Sequence, residues 1–281
     1  MTVKARGSLS GGLALGLVQA RIELAQKFTS WTMLGYLVLP GSLWGGSLIF
    51  EQFFAERQDA FRFILVSMTA AWLAMTGIMT LSSAVIADQD EGVILRAKTL
   101  PYGLVGYFVG KVILLSTTSL VGLVLLLLAG EASFGGVLPR TADRWGLFLV
   151  LAALAVAATA PIGAIAGSLA RGPLASLPIS LVSVALISCS GLFIPIDNGP
   201  DWLGPLAHVL PVYWLGELSR QVFGSAPPAL SPVDGVAMFV VPLLWAAVTV
   251  LLVPRAVAVL SRRQSGARLQ ALIERRAARG Y

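Results

Sequence analysis

VILLSTTSLVGLVLLLLAG, residues 112–130, decides what solvent this chain is built for. Its nineteen residues carry no Asp, Glu, Lys, Arg or His, and about 20 apolar residues are what an α-helix needs to cross a hydrocarbon core. Four more windows share this freedom from ionisable residues: 63–87, 146–170, 172–196 and 235–254. Over all 281 residues, 57% are hydrophobic and 12% charged, against roughly 25% charged in a soluble domain. Lipid is therefore the main solvent.

Working outward from that run, hydropathy predicts six transmembrane helices near 31–50, 62–87, 104–129, 145–170, 174–195 and 235–254. An even number of spans puts both termini on one side. That side carries fifteen of the lysines and arginines, including Lys4, Arg6, Arg21, Lys27, Arg96, Lys98, Lys111, Arg171, Arg255, Arg262 and Arg263, whereas the other keeps Arg57, Arg62, Arg140, Arg144 and Arg220. The positive-inside rule makes the termini cytoplasmic and the location the plasma (inner) membrane, multi-pass.

Before the first span, Leu13, Leu17, Leu24 and Phe28 recur among Gln19, Arg21, Glu23, Gln26 and Lys27, the pattern of an amphipathic interfacial helix. Gly7, Gly11, Gly12 and Gly16 make the same region a poor signal-peptide core. The expected organisation is an interfacial helix over 1–30, a six-span domain over 31–255 and a basic cytoplasmic tail over 256–281. Gly41/Gly45, Gly106/Gly110 and Gly163/Gly167 are small-xxx-small pairs that let helix backbones approach, and Pro40, Pro161, Pro178 and Pro242 permit kinks.

Several function classes fall away. One cysteine, Cys189, and one histidine, His208, cannot build a disulfide framework or a multi-histidine metal site, so no metal is expected. The basic residues follow the membrane and form no separate basic domain, which argues against nucleic acid as a partner. Spans without ionisable groups lack the sites that proton- or sodium-coupled transporters use. The phosphate-loop lookalike Gly106-Tyr107-Phe108-Val109-Gly110-Lys111-Val112 has the wrong glycine spacing and ends in Val, so no nucleotide cofactor is expected on this chain. An intramembrane serine protease would need Ser190 against His208, which the outer connection does not obviously bring together. No catalytic residue is expected.

Two segments carry chemistry of another kind. Asp88-Gln89-Asp90-Glu91-Gly92-Val93-Ile94-Leu95-Arg96-Ala97-Lys98-Thr99-Leu100-Pro101 opens acidic and closes basic, the order that favours a short helix through its macrodipole. A short charged helix projecting from the membrane is a handle for a soluble partner. The second segment runs Ser190-Gly191-Leu192-Phe193-Ile194-Pro195-Ile196-Asp197, then Pro200-Asp201-Trp202-Leu203 and Leu206-Ala207-His208-Val209-Leu210-Pro211. Its apolar pieces are too short to cross again, so it reads as helices dipping into the outer leaflet, with Trp202, Tyr213 and Trp214 at headgroup depth.

In order and spacing these elements resemble the ABC-2 type membrane subunits of ABC exporters, especially bacterial drug-resistance and antibiotic-export permeases of the daunorubicin-exporter kind. Asp90, Glu91, Gly92, Leu95, Arg96, Thr99 and Pro101 fall on that family's acidic-Glu-Gly-x-x-x-Leu-Arg-x-x-x-x-Pro stretch, and Ser190, Gly191, Phe193, Pro195, Pro200, Trp202, Leu203, Leu210 and Pro211 on its outer motif. Gln89 and Val93 stand where many members carry a basic residue and a threonine.

The resemblance implies an all-α integral membrane fold of the type V exporter kind: six spans, an interfacial helix, a cytoplasmic coupling helix, and outer re-entrant helices between spans five and six. It implies a second permease copy or a related permease as partner, and two copies of an ABC ATP-binding subunit that would bind ATP and Mg. The coupling set would be Asp88, Asp90, Glu91, Gly92, Leu95, Arg96, Lys98, Thr99 and Pro101. Met68, Trp72, Met75, Met79 and Phe193 are expected along the substrate path, and Ser190, Gly191, Pro195, Pro200, Trp202 and Pro211 in the outer re-entrant motif. Drug or antibiotic efflux leads this reading, lipid or polysaccharide export follows, and a non-transporting membrane scaffold is the alternative of another class.

Overall fold

A computed structural model describes residues 9–29, 34–49, 57–170, 173–192, 196, 200–224 and 231–277. Regular structure among them is helical throughout: α1 (Leu9–Thr29), α2 (Gly35–Ile49), α3 (Gln58–Met75), a π-turn (Thr76–Thr80), α4 (Leu81–Asp90), α5 (Val93–Ala97), α6 (Gly103–Phe134), α7 (Ala142–Leu169), α8 (Ser176–Ser188), α9 (Leu203–Val209), α10 (Pro211–Phe223) and α11 (Pro232–Ala277).

Four rods among the described residues are long and apolar enough to cross a membrane: Phe61–Gln89, Gly103–Phe134, Ala142–Leu169 and Pro232–Val259. Where the first and fifth spans were expected, α2 has 15 residues and α8 has 13. At 1.5 Å per residue the 13 residues of α8 are roughly 20 Å long, short of a core of roughly 30 Å; α2 adjoins residues outside those described. A 3₁₀ turn at Pro173–Ala175 precedes α8 and a left-handed Gly191 follows it, so local backbone chemistry shortens that helix. At the other end of the chain, α11 runs unbroken through the basic segment to Ala277, and the expected division at residue 255 is not a break in the helix.

Glycines set how closely the rods approach. The π-turn of the second span crosses α7 so tightly that a methyl on Gly77 would collide with the Thr159 side chain, and one on Gly163 with the Gly77 carbonyl. The Ser82 hydroxyl sits within hydrogen-bond reach of the carbonyl oxygens of both Ile78 (2.5 Å) and Gly163 (3.0 Å), and so spans the crossing. Further along, a Cβ on Gly167 would lie 2.8 Å from the Ser82 carbonyl oxygen. A π-turn widens the helix locally and leaves backbone groups out of register, which is tolerable in lipid only where a neighbour packs against it.

The same device seats α1 on the first turns of α6. A Cβ on Gly16 would lie 2.8 Å from Val109 and 2.9 Å from the Gly106 carbonyl oxygen; one on Gly110 would lie 3.0 Å from the Gly16 carbonyl oxygen. Gly12 and Gly16, which read in sequence as interruptions, are thus the contact face of α1, complementary to Gly106 and Gly110. Away from that contact Leu13, Leu17 and Phe28 are exposed, and Leu24 is half-buried.

The main core joins α3, α6, α7 and α10 through Leu65, Leu73, Leu123, Leu127, Leu151, Leu215 and Leu218. Where the π-turn crosses α7, Gly163→Ala forces backbone apart and should cost about 3 kcal/mol, the upper end of overpacking. Gly146→Ala, where open space meets the new methyl, should be neutral or slightly stabilising. Thermal unfolding of the detergent-solubilised protein distinguishes the two.

Candidate functional site

The second and third spans form a hairpin whose base is locked by buried charge. Lys111 sits about 12 Å along α6 from Gly103 at 1.5 Å per residue. Its ammonium lies 2.8 Å from the Asp88 carboxylate on α4 and 3.4 Å from that of Glu23 on α1. The Tyr107 hydroxyl, one turn away, donates to the same Asp88 oxygen at 2.6 Å, and Gln19 donates to Glu23 at 2.8 Å. Lys111 also lies 5.7 Å from the centre of the Tyr107 ring. Next to Asp88, the Gln89 amide donates to the Gly167 carbonyl at 2.7 Å, tying the hairpin to α7. Three segments distant in sequence therefore meet on one cation.

Beyond this lock the connection departs from the single charge-ordered helix expected over Asp88–Pro101. Helix α4 continues through Asp88 to Asp90 and turns at Glu91 and Gly92, the latter at φ 73°; only five residues, Val93–Ala97, form α5. The acidic residues thus sit at the C-terminal end of a helix, where the macrodipole disfavours them. Asp88 is compensated by Lys111 and Tyr107 and turns into the protein, which is the physical reason the helix can end there.

What the turn presents outward is mixed in character. Ile94 is fully buried and anchors α5, while Glu91, Arg96, Thr99, Leu100, Pro101 and Tyr102 are exposed. Gly92, Leu95 and Lys98 are half-buried. Burial lowers the Lys98 ammonium below the ordinary lysine range. Tyr102 holds φ 59°, a conformation rare outside glycine, and Thr99 donates to the Arg96 carbonyl at 2.8 Å. The result is a rigid knuckle with charged, apolar and aromatic groups on its outer surface.

A cleft of about 260 Å³ lies between the second and third spans, lined by Trp72, Met75, Thr76, Thr80, Leu115, Thr118 and Ser119. Of the residues expected along a substrate path, it brings together Trp72 and Met75. Met68 and Met79 are half-buried outside its lining, and Phe193 lies outside the described residues. The π-turn accounts for Met79: one extra residue in the turn rotates the following helix and brings Thr80 to the cleft. Sequence reasoning missed the hydroxyl residues because serine and threonine in a span read equally well as packing.

In the outer motif, the Ser190 hydroxyl donates to the Leu186 carbonyl at 2.6 Å and the His208 ring packs on Tyr213 and Trp214 at 4.6 and 5.6 Å, so neither serves the other as nucleophile or base. Gly191 adopts φ 66°, Pro200 and Trp202 are exposed, Pro211 is buried at the first turn of α10, and Pro195 lies outside the described residues. Trp214 is 4% exposed, and its indole donates at 2.7 Å to the His208 carbonyl at the end of α9. Trp245 does the same for Val209 at 2.8 Å. Helix α10 is packed into the bundle: Ser219 donates to the Val66 carbonyl at 2.8 Å, and Arg220 pairs with Glu217 at 2.5 Å. Sequence reasoning had left that pair in the outer connection; the signal available was the i, i+3 spacing of opposite charges.

Removing one partner of a buried ion pair costs more than removing the whole set, because a charge is left stranded. Lys111→Met should lower stability by on the order of 3 kcal/mol, discounted from the fully buried case because Glu23 retains some exposure. The triple variant Lys111→Met, Asp88→Asn, Glu23→Gln should recover most of the loss. Paired denaturation curves test this, and a triple variant no better than the single would remove the charge argument.

A comparison with curated proteins finds no match for this chain. The profile of the ABC-2 type transporter family matches residues 19–223, which span α1 from Gln19 to the end of α10 and contain the hairpin, the cleft and the outer motif. That is well over half of the chain. The chain therefore belongs to the ABC-2 type transporter family, the membrane-spanning permease module of ABC transporters, which normally works with an ABC ATP-binding subunit.

Proposed function

We propose that this chain is the permease subunit of an ATP-driven exporter that extrudes amphipathic molecules, with drugs or antibiotics as the leading cargo. The observation that carries the proposal is the locked hairpin. Its exposed knuckle, Glu91 to Tyr102, stands on a base fixed by Lys111, Asp88, Tyr107 and Glu23, so a force applied to the knuckle reaches α1, the second span and the third together. Span centres free of ionisable residues, such as 63–87 and 112–130, favour a driving force supplied from outside the bilayer. In this reading the chain has the six-span exporter architecture with both termini in the cytoplasm of a bacterial inner membrane. It pairs with a second permease copy or a related permease, and two ATP-binding subunits carry ATP and Mg. Asp90, Glu91, Gly92, Leu95, Arg96, Lys98, Thr99 and Pro101 form the docking surface, while Asp88 acts from beneath it. ATP-driven closure of the partners shifts the permease pair between inward- and outward-facing states.

Lipid export is the second reading. An apolar groove of about 340 Å³ between α6, α7 and α11, lined by residues such as Phe108, Val112, Val156, Pro161 and Val250, has the character of an acyl-chain site. Polysaccharide export is less favoured, because Trp72 is the single aromatic residue in the lining of the cleft.

Charge reversal of Asp90 and Glu91 to lysine should leave the permease folded but reduce co-purification of the ATP-binding subunit at least tenfold and abolish ATP-dependent transport. Pull-down and vesicle transport measure both. Unchanged assembly and transport would refute the docking surface, and a chain that holds no ATPase would favour the scaffold alternative.

A further inference from the structure

Three of the four hydroxyl groups lining the cleft, those of Thr76, Thr118 and Ser119, have their hydrogens already committed. The Trp72 indole N–H donates to the Ser119 carbonyl at 3.1 Å, and the Thr76 hydroxyl donates to the Trp72 carbonyl at 2.9 Å. Thr76 and Ser119 hydroxyl oxygens are 2.6 Å apart. Because the Thr76 hydrogen is spent on Trp72, Ser119 must be the donor in that pair, and its own hydrogen is spent as well. Thr118 donates to the carbonyls of Leu114 and Leu115 at 3.0 and 3.1 Å. Of the polar side chains in the lining, Thr80 alone keeps an uncommitted hydroxyl among the described residues; it is exposed at the rim.

What these groups offer a visitor is therefore oxygen lone pairs. Thr118 and Ser119 retain two each and Thr76 one, set in walls made of Trp72, Met75 and Leu115. A molecule bringing only acceptors, such as ketones, ethers or esters, would find one donor, Thr80 at the exposed rim, and would desolvate the other oxygens against lone pairs and lose binding energy. One bringing O–H or N–H hydrogens would satisfy the cleft and itself. The indole face and the methionine add flat, adaptable apolar contact.

We infer that this cleft is a cargo subsite selective for flat, apolar molecules whose edges carry hydroxyl or amino hydrogens. The inference rests on the permease reading above and narrows it to a chemical class.

Proflavine and acridine orange isolate the donor: they share one ring system and one charge, and differ in that the four exocyclic N–H hydrogens of the first are methyls in the second. Binding is measured by fluorescence anisotropy on the full chain in zwitterionic nanodiscs, with empty nanodiscs subtracted. Proflavine should bind about tenfold more tightly, although methylation alone favours acridine orange in any apolar site. Thr118→Val, nearly isosteric, and Thr80→Val, at the exposed rim, should each reduce that preference to about threefold or less. Equal binding, tighter acridine orange, or no binding of either dye would overturn the inference. So would a preference that both variants retain, because size would then explain it. The measurement uses the permease alone, so loss of the ATP-binding partner would sink the permease reading without bearing on this result.

Discussion

Lys111 carries a positive charge into a place where water is scarce, and the fold closes around it. An ammonium in such surroundings must be paired, and Asp88 and Glu23 answer that requirement from two other helices, with the Tyr107 hydroxyl donating to the same Asp88 oxygen. The cost of separating any of these groups is high, so α1, the end of the second span and the start of the third behave as one body. A knuckle mounted on that body can transmit a push. Without the pairing, the five-residue α5 would be a short helix on a soft loop, too brief to hold its own shape.

The hydrophobic effect does not draw helices together in lipid, and the glycines supply what replaces it. Gly12 and Gly16 against Gly106 and Gly110 bring α1 close enough for Glu23 to reach Lys111. Gly77 against Gly163 brings the π-turn against α7. The second contact bears on the cleft as well as on packing, because the π-turn rotates the helix and puts Thr80 beside Trp72 and Thr76. Close backbone approach on one side of the second span thus shapes the polar cleft on the other.

Charge is confined to two depths in the described bundle. The Lys111 network lies at one end, and the Glu217–Arg220 pair on α10 lies near Val66, at the opposite end of the second span. Between them the interior is apolar, relieved by hydroxyls such as those of Thr69, Thr118 and Thr159 that donate to carbonyls of their own helix. A protein built this way has no titrating group in the middle of its spans to carry an ion, and it fits a family whose energy comes from an ATP-binding partner.

Sequence alone determined the solvent, the helical class and the family. Those follow from residue counts over windows of about 20 and from ordered short motifs, both of which survive ignorance of what touches what. It also located the hairpin connection, and it named Trp72 and Met75. Pairings that depend on rotation and depth were beyond its reach. Asp88 read as part of an outward handle because its neighbours Asp90 and Glu91 are acidic too, and only the fold shows it facing Lys111. Gly12 and Gly16 read as interruptions of an apolar run, since their complement lies some 90 residues further on; Met79 read as lining because a π-turn leaves no mark in periodicity. Tertiary structure decided which charges are spent inside and which hydroxyls line the cleft, because each of these is set by a neighbour distant in sequence.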